Sequence, residues 1–545
     1  VFDVGRELEL PRRLLAGERL YAELRWYYGP VAPYVNAVLY AAFGVKLAVL
    51  EWAGTLVGVS LAVVVYRLAR RFTGRAVATS VAIAFSLVCA FQHLSLVPIF
   101  TFGLPYTFAA TYGMAAAAGS LLGLVLHVQR GRGTSLWWST VLLAVASLSK
   151  LETAAPALAA HSLFLALTWA DRRLTRASIY PYFVAAGLVV SVWGPLAAQS
   201  GTALWSGNLA ALGNAGSRVY VARTMGLLDP IMSLRAVGES TLIAAAVMAV
   251  AWAAGTVRQR ARHHVAGAIR LAVAGAVPLV VYGALDPELA FRWLPLGLGV
   301  ALAVALGQWW RQPERRAELL PEILLFAFGT GALLRIVLRV SPHHYGFYLL
   351  PIGLVGAAVL VSETLPRWSG QGKGPWAAAA TGLLLGCSFA AARVSAPGWE
   401  AHTIPVETRR GRLSVTAIEA PLASAVVALS DYPAESRTMV VPQGGAIAWF
   451  AGLPSAGVMF SYLPMELPGL AEDAALASSL ARDPPDIVVA LMMDLSEYGY
   501  RGFGRDYALR TGQWIAQEYT EVREVSPQVL ILRRGPGRGT PHEAP

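Results

Sequence analysis

The sequence predicts a mainly α, polytopic transmembrane helical bundle followed by a small α/β domain in water. Three observations carry this. Hydrophobic residues make up 56% of the 545 residues and charged residues only 14%, with a mean hydropathy of +0.52, whereas an ordinary soluble protein is about 25% charged. The long apolar runs stop near Val394. Charge changes sign at the same place: the first 395 residues hold 32 basic and 16 acidic side chains, the remainder 12 and 17. No soluble fold of this size hides so much apolar surface. A soluble enzyme, a disordered chain and a nucleic-acid binder are therefore excluded, despite a pI near 9.7. Cys89 and Cys387, the two cysteines, lie in apolar runs, so a disulfide framework is excluded as well.

Four regions follow: a first external segment (1–46), the transmembrane domain (47–395), an extracytoplasmic α/β domain (396–534) and a disordered tail (535–545), which opens Gly-Pro-Gly-Arg-Gly. In the first segment, Leu8, Leu10, Leu14 and Leu15 suggest an amphipathic helix lying on the membrane. Tyr27-Tyr28-Gly29-Pro30 reads as a turn, and 31–43 as a second helix too short to span. The chain begins at Val1 without an initiator Met, and an upstream span is expected to precede it, making thirteen in all.

A crossing needs about 20 apolar residues. Twelve segments qualify: 47–66, 76–97, 105–127, 135–150, 153–170, 178–198, 235–257, 267–285, 288–309, 319–340, 345–363 and 376–395. Residues 135–170 form one apolar stretch of 36, about 54 Å if helical. Lys150 and Glu152 interrupt it, so a tight hairpin of two spans is expected. Arginines fill alternate loops: 67–75, 130–132, 172–176, 258–264, 311–316 and 367–373. By the positive-inside rule these face the cytoplasm. The opposite loops, together with residues 1–46 and the C-terminal domain, then share the external side of a cell (inner) membrane.

Beyond residue 396 the pattern becomes helix then short strand, three times over. Helices at about 416–430, 470–482 and 505–519 precede strands at 438–442, 486–491 and 528–533. This domain contains neither a Gly-rich phosphate loop nor a nucleophile elbow.

Ionisable residues at membrane depth are functional candidates. Asp3 sits in the first segment; Lys150 and Glu152 at the hairpin tip; Asp286, Glu288 and Arg292 at a second tip; Arg339, His343, His344 and Tyr345 at a third. All fall on the external side. A carboxylate, several cations and amphipathic helices on one face suit an anionic lipid head group. Lys150 and Glu152 read equally as a solvated hairpin tip, although lysine is scarce here, at three positions (46, 150 and 373). Adjacent histidines lack the i,i+4 geometry of a helical metal pair, so His343 and His344 read first as polar interface residues. Glu51, His93 and His161 fall inside apolar runs, where helix-packing hydrogen bonds are the ordinary role.

Three stretches carry a resemblance to a known family. They are Phe2-Asp3-Val4-Gly5-Arg6-Glu7 with Tyr28-Gly29-Pro30-Val31-Ala32-Pro33-Tyr34-Val35-Asn36-Ala37; Ser149-Lys150-Leu151-Glu152; and Pro484-Pro485-Asp486-Ile487-Val488 with Glu497-Tyr498-Gly499 and Phe503-Gly504-Arg505-Asp506-Tyr507. In this order they resemble the GT-C superfamily of polytopic glycosyltransferases, in particular bacterial glycosyltransferase family 39, with its relatives the protein O-mannosyltransferases and lipid A aminoarabinose transferases. The resemblance implies an inverting sugar transfer on the extracytoplasmic face. The donor is a polyprenyl-phosphate-linked sugar and the acceptor a hydroxyl of a glycan, lipid or protein. It also implies an essential acid in the first external loop. Asp3 matches that position and is expected as general base; the second acid common there is replaced by Val4, with Glu7 a distant substitute. Lys150, Arg339, His343, His344 and Tyr345 are expected around the donor phosphate, supported by Glu7, Glu51, Glu152, Tyr28 and Arg292. No particular cofactor is expected, and a divalent metal is left open. The alternatives are a transporter or flippase of lipid-linked sugars, or a non-catalytic subunit of an envelope assembly. The absence of an inverted repeat speaks against transport.

Overall fold

A computed structural model describes residues 4–94, 99–202, 204, 215–258, 264–467 and 469–535. Asp3, the tip of the basic loop 258–264, and nearly all of the C-terminal tail lie outside the described residues.

The first helices are α1 (Val4–Leu15) and α2 (Val31–Phe43). The apolar bundle comprises α3 (Leu47–Ala69), α4 (Arg75–Ala90), α5 (Phe108–Arg130), α6 (Gly133–Ser147), α7 (Leu151–Ala170) and α8 (Arg176–Ser200). It continues with α9 (Ala215–Met225), α10 (Pro230–Arg258), α11 (His264–Ala284), α12 (Pro287–Ala290), α13 (Leu294–Arg311), α14 (Arg316–Leu333), α15 (Gly346–Ser369) and α16 (Lys373–Glu400).

Each of the twelve expected apolar segments contains a helix among the described residues. Ten helices among the described residues are long and apolar enough to cross a membrane. The chain is thus a multi-pass membrane protein. The two that fall short are α4 and α6, the latter of 15 residues, or about 22 Å. Both stop early on polar turns. α4 ends at Ala90, so His93 lies past its end, where its N–H donates to Ser395 Oγ (3.0 Å). His161 is a packing residue: its ring nitrogens meet Ser120 Oγ (2.8 Å) and Tyr182 Oη (2.7 Å), tying α7 to α5 and α8.

Burial separates the bundle into centre and rim. α5 and α15 are 89% buried over their apolar windows, whereas α8 is 17% and α3 28%. The rim helices present exposed Trp52, Leu56, Phe183 and Val190, as surfaces solvated by lipid do. α5 can sit at the centre because it is built of Ala, Gly and Ser, which admit close neighbours: Ser120 and Ser139 exchange hydrogen bonds with each other's carbonyls.

The C-terminal domain holds an antiparallel hairpin, β1 (Ile404–Thr408) with β2 (Gly411–Val415), and a four-stranded sheet. The sheet strands are β3 (Thr438–Val441), β4 (Ile487–Leu491), β5 (Glu521–Ser526) and β6 (Val529–Arg533), in the order β3-β4-β6-β5. β3 and β4 pair parallel; β6 pairs antiparallel with both neighbours. The helices are α17 (Ala420–Leu429), α18 (Gly445–Phe450), α19 (Leu470–Arg482) and α20 (Leu509–Glu518). Alternation of side chains along each strand gives the sheet two apolar faces. Val440, Val489 and Ile531 join the core continuous with the bundle, while Met439, Val488 and Leu532 pack under α19 and α20.

One expectation is corrected here. α1 does not lie as an open amphipathic helix on the membrane. Leu8 and Leu10 are fully buried, and so are Arg6, Glu7 and Glu9. The helix is wedged between α2 and α18, and a Cβ on Gly5 would stand 2.1 Å from Ala446 N. Polar contacts fasten the same seam: Arg13 Nη1 donates to Gly457 O (2.7 Å), and Ser455 N donates to Glu9 Oε1 (3.2 Å). Arg6, Glu9 and Arg13 meet the C-terminal domain, and Glu7 meets the start of α5.

Candidate functional site

The site grows from the α6–α7 hairpin. α6 ends at Ser147 and α7 begins at Leu151, so Lys150 is the residue entering α7 and Glu152 stands in its first turn. The loop 27–30 is pressed onto this turn. Gly29 N donates to Ser149 O (2.8 Å), and a Cβ at Gly29 would meet Leu148 O at 2.0 Å, so only glycine allows the approach. Tyr21 Oη donates to Tyr28 O (2.6 Å) and Trp26 Nε1 to Gly29 O (3.0 Å), fixing the loop from its other side. Tyr28 is thereby held with its ring centroid 4.8 Å from Lys150 Nζ.

Lys150 is buried. Its ammonium donates to Tyr106 Oη (2.5 Å) and Tyr348 Oη (3.2 Å), and it lies near the rings of Tyr106, Tyr345 and Tyr348 as well as Tyr28. Glu152 Oε2 is 2.9 Å from Lys150 Nζ and accepts from Tyr348 Oη (2.5 Å). Its other oxygen, Oε1, accepts from Arg335 Nε (2.9 Å). Arg335 Nη1 donates to Thr224 Oγ1 (2.6 Å), and the guanidinium lies 4.6 Å from the Tyr345 ring centroid. Two cations thus share one carboxylate inside an aromatic cage. Burial lowers the Lys150 pKa, and the charge of Glu152 works against that shift. Burial likewise raises the Tyr106 phenol well above its usual range, so it stays protonated.

A cavity of about 200 Å³ opens on this cluster, lined by Lys150, Glu152, Arg335, Tyr28 and Tyr345 and roofed by Glu466 and Tyr498 of the C-terminal domain. Arg6 reaches it from α1, with Nη1 3.5 Å from Glu466 Oε1. A second cavity, of about 230 Å³, shares Tyr220 and Tyr345 as its wall and adds Arg223, Glu288, Arg339, His343 and His344. His344 has a left-handed backbone (φ +59°), which turns its Nε2 to within 2.8 Å of Tyr220 Oη. Burial, and then the positive groups around it, lower the His344 pKa to about 3, and burial also lowers His343. Both imidazoles are neutral near pH 7.

The residues singled out in the sequence divide as follows. Lys150, Glu152, Tyr28 and Tyr345 meet in the first cavity. Arg339, His343 and His344 line the second, so Arg339 is not beside Lys150 as expected; Arg335, one turn earlier, takes that place. Arg292 lines neither cavity and donates from Nε to Glu288 O (3.1 Å). Glu7 lines neither: its Oε2 accepts from Phe108 N (3.1 Å), satisfying the start of α5. Glu51 sits on an exposed face of α3 and lines neither cavity. Asp3 is outside the described residues. Among those residues no group of three or more His, Cys, Asp and Glu is placed to hold a metal ion.

Sequence reading missed Arg335, Tyr106, Tyr348, Arg6 and Glu466. Arg335 carried a signal: it interrupts the apolar run Ala332-Leu333-Leu334-Arg335-Ile336-Val337. The tyrosines carried none, since a tyrosine near the end of an apolar segment reads as an interface anchor.

No protein-family model matches the chain, and no curated protein matches it. Several solved structures are similar to it, three of which follow. ArnT from Cupriavidus metallidurans in the apo state is 14% identical, with 97% of this chain and 92% of that chain covered and a TM-score of 0.43. The same protein bound to undecaprenyl phosphate is 14% identical, covering 97% and 93%, at 0.45. The archaeal oligosaccharyltransferase AglB from Archaeoglobus fulgidus, in complex with an inhibitory peptide and a dolichol-phosphate, is 13% identical, covering 99% and 71%, at 0.47.

Proposed function

We propose that this protein is an inverting membrane glycosyltransferase, moving a sugar from a polyprenyl-phosphate-linked donor to an acceptor hydroxyl of a glycan, lipid or protein. The observation that carries this is the pair of a buried Lys150 and a half-buried Arg335 at the ends of membrane helices, in a cavity roofed by the C-terminal domain. Buried cations persist where an anion is to be met. A lipid-linked phosphate has to stay near the membrane surface while its sugar faces water, and a cavity between helix ends and a covering domain meets both needs.

In the reaction, the bond between the sugar's anomeric carbon and the phosphate oxygen breaks as the acceptor oxygen bonds to that carbon. The acceptor proton passes to a carboxylate, and the lipid phosphate leaves with one more negative charge. Lys150 and Arg335 stabilise that developing charge. Arg339, His343 and His344 line the neighbouring cavity, on the far side of Tyr345. Asp3 is the general base, on the strength of the sequence resemblance; Arg6, three residues on, lines the cavity. One base suffices for inversion in a single step, whereas retention through a covalent intermediate needs a second carboxylate acting as nucleophile. The C-terminal domain and the cavities face the extracytoplasmic side of the inner membrane.

The test is consumption of a polyprenyl-phosphate sugar by the detergent-solubilised protein with a hydroxyl acceptor. A transferase releases polyprenyl phosphate and glycosylated acceptor. A flippase leaves both substrates chemically intact and moves the lipid only across sealed vesicles, and that result would replace this assignment.

A further inference from the structure

Five charged side chains line the cavity: Arg6 and Glu466 face each other across 3.5 Å and offset one another, and Glu152 stands between Lys150 and Arg335. Lys150 and Arg335 would present two positive charges to a bound phosphate, but Glu152 bridges them, one carboxylate oxygen to each, at 2.9 Å both times. Tyr348 Oη donates to the same carboxylate and Thr224 accepts from Arg335, so the arrangement is built and not an accident of one rotamer. A carboxylate with two cations and a phenol as partners stays ionised. The cluster therefore offers one net positive charge.

From this we infer that Glu152 is a specificity residue that matches the cavity to a singly charged phosphodiester and against a doubly charged phosphomonoester. The inference rests on the phosphate-binding function proposed above and deepens it. A lipid-phosphate-sugar is a phosphodiester with one negative charge. The lipid phosphate left after transfer is a monoester, with a second pKa near 6, and so close to two charges at pH 8. Against a cluster of net charge +1, the diester is compensated and the monoester leaves one buried charge without a partner, which is costly at low dielectric. Glu152 thus favours donor entry and product departure. Without it, the cluster would carry two charges and would hold the product.

Two short amphiphiles separate these cases. Dodecyl methyl phosphate is a diester monoanion, and dodecyl phosphate is a dianion at pH 8. Their dissociation constants are measured at pH 8 on the full chain in a neutral detergent. Wild type is expected to prefer the diester by about 10-fold or more, the scale of one charge-assisted contact. Glu152→Gln should move the preference about 10-fold or more toward the monoester, while Glu152→Asp, which keeps the charge, should retain the wild-type ratio. If Glu152→Gln does not fold, the wild-type preference alone decides. Equal affinity of wild type for the two amphiphiles, or an unchanged ratio in folded Glu152→Gln, overturns the inference. Lys150→Ala distinguishes this from failure of the proposed function. If Lys150→Ala weakens neither amphiphile, the cavity is not a phosphate site and both proposals fall. If it weakens both while the ratio ignores Glu152, only the charge-matching role falls.

Discussion

Tyr28 lies over Lys150, its ring centroid 4.8 Å from the ammonium, although the two are separated by five helices, α2 to α6, in the chain. The contact exists because Gly29 lets the first loop rest on the α6–α7 turn. It joins the N-terminal segment to the proposed phosphate site, and several measurable consequences stem from it.

Lys150→Ala removes the buried ammonium and its contacts to Tyr106, Tyr348 and Glu152. Loss of one charge-assisted contact costs roughly 1.5–3 kcal/mol. Donor use should fall about 10- to 100-fold while the protein still accumulates in the membrane. Unchanged donor affinity and turnover would return Lys150 to a structural role.

Gly29→Val forces a Cβ into the Leu148 carbonyl. Overpacking of this kind costs about 1–3 kcal/mol. The thermal midpoint in detergent should drop, and donor affinity should drop with it because Tyr28 is displaced. Tyr28→Leu, in contrast, should leave the midpoint close to wild type and weaken donor binding about 3- to 30-fold, the range for a desolvated cation–π contact. Identical behaviour of the two variants would mean that Tyr28 acts only through folding.

Asp3→Asn preserves shape and removes the proposed base. Turnover should fall about 10²- to 10⁴-fold with donor binding intact. If the Asn variant turns over normally, the base is another group, and Glu152 is the carboxylate to examine next, since Glu7 and Glu51 line neither cavity.

His344 has its pKa lowered to about 3, first by burial. An unfolded histidine titrates near 6.5. Between these values the unfolded chain binds the proton that the folded chain refuses, so this contribution to stability is complete above pH 6.5 and drains as pH falls toward 3. Thermal midpoints measured from pH 7 down to pH 4 should decline, and less steeply in His344→Gln. An equal decline in both would assign the acid sensitivity elsewhere.

The alternation of arginine loops predicts orientation. Cys89 and Cys387 are buried, so single cysteines introduced on a Cys-free background report cleanly. Positions in 67–75, 258–264 and 311–316 should resist an impermeant thiol reagent in intact cells, and positions in the C-terminal domain should label. External labelling of 258–264 would invert the assignment of faces and place both cavities on the cytoplasmic side.

Periodicity and composition alone determined the helical bundle, the hairpin at Lys150 and the change to an α/β domain near residue 396. These depend on local facts: apolar run length against membrane thickness, and a charged pair interrupting a run too long for one crossing. α19 was legible, expected at about 470–482 and found at Leu470–Arg482, because its apolar face repeats at helical spacing and a proline pair follows it. The β1–β2 hairpin and β5 were not, since their strands are short and mostly exposed. Lys150, Glu152, Tyr28 and Tyr345 were legible as candidates because charge and aromatic rings at the ends of apolar runs are uncommon. Which cation stands beside Lys150 was decided by the tertiary structure. Arg335 and Arg339 lie one turn apart on the same stretch, and only the packing of α14 against α7 determines that Arg335 reaches Glu152. The burial of α1 was decided in the same way. Its charged residues look water-facing in sequence, but a second domain folded over them supplies the partners that water would otherwise provide.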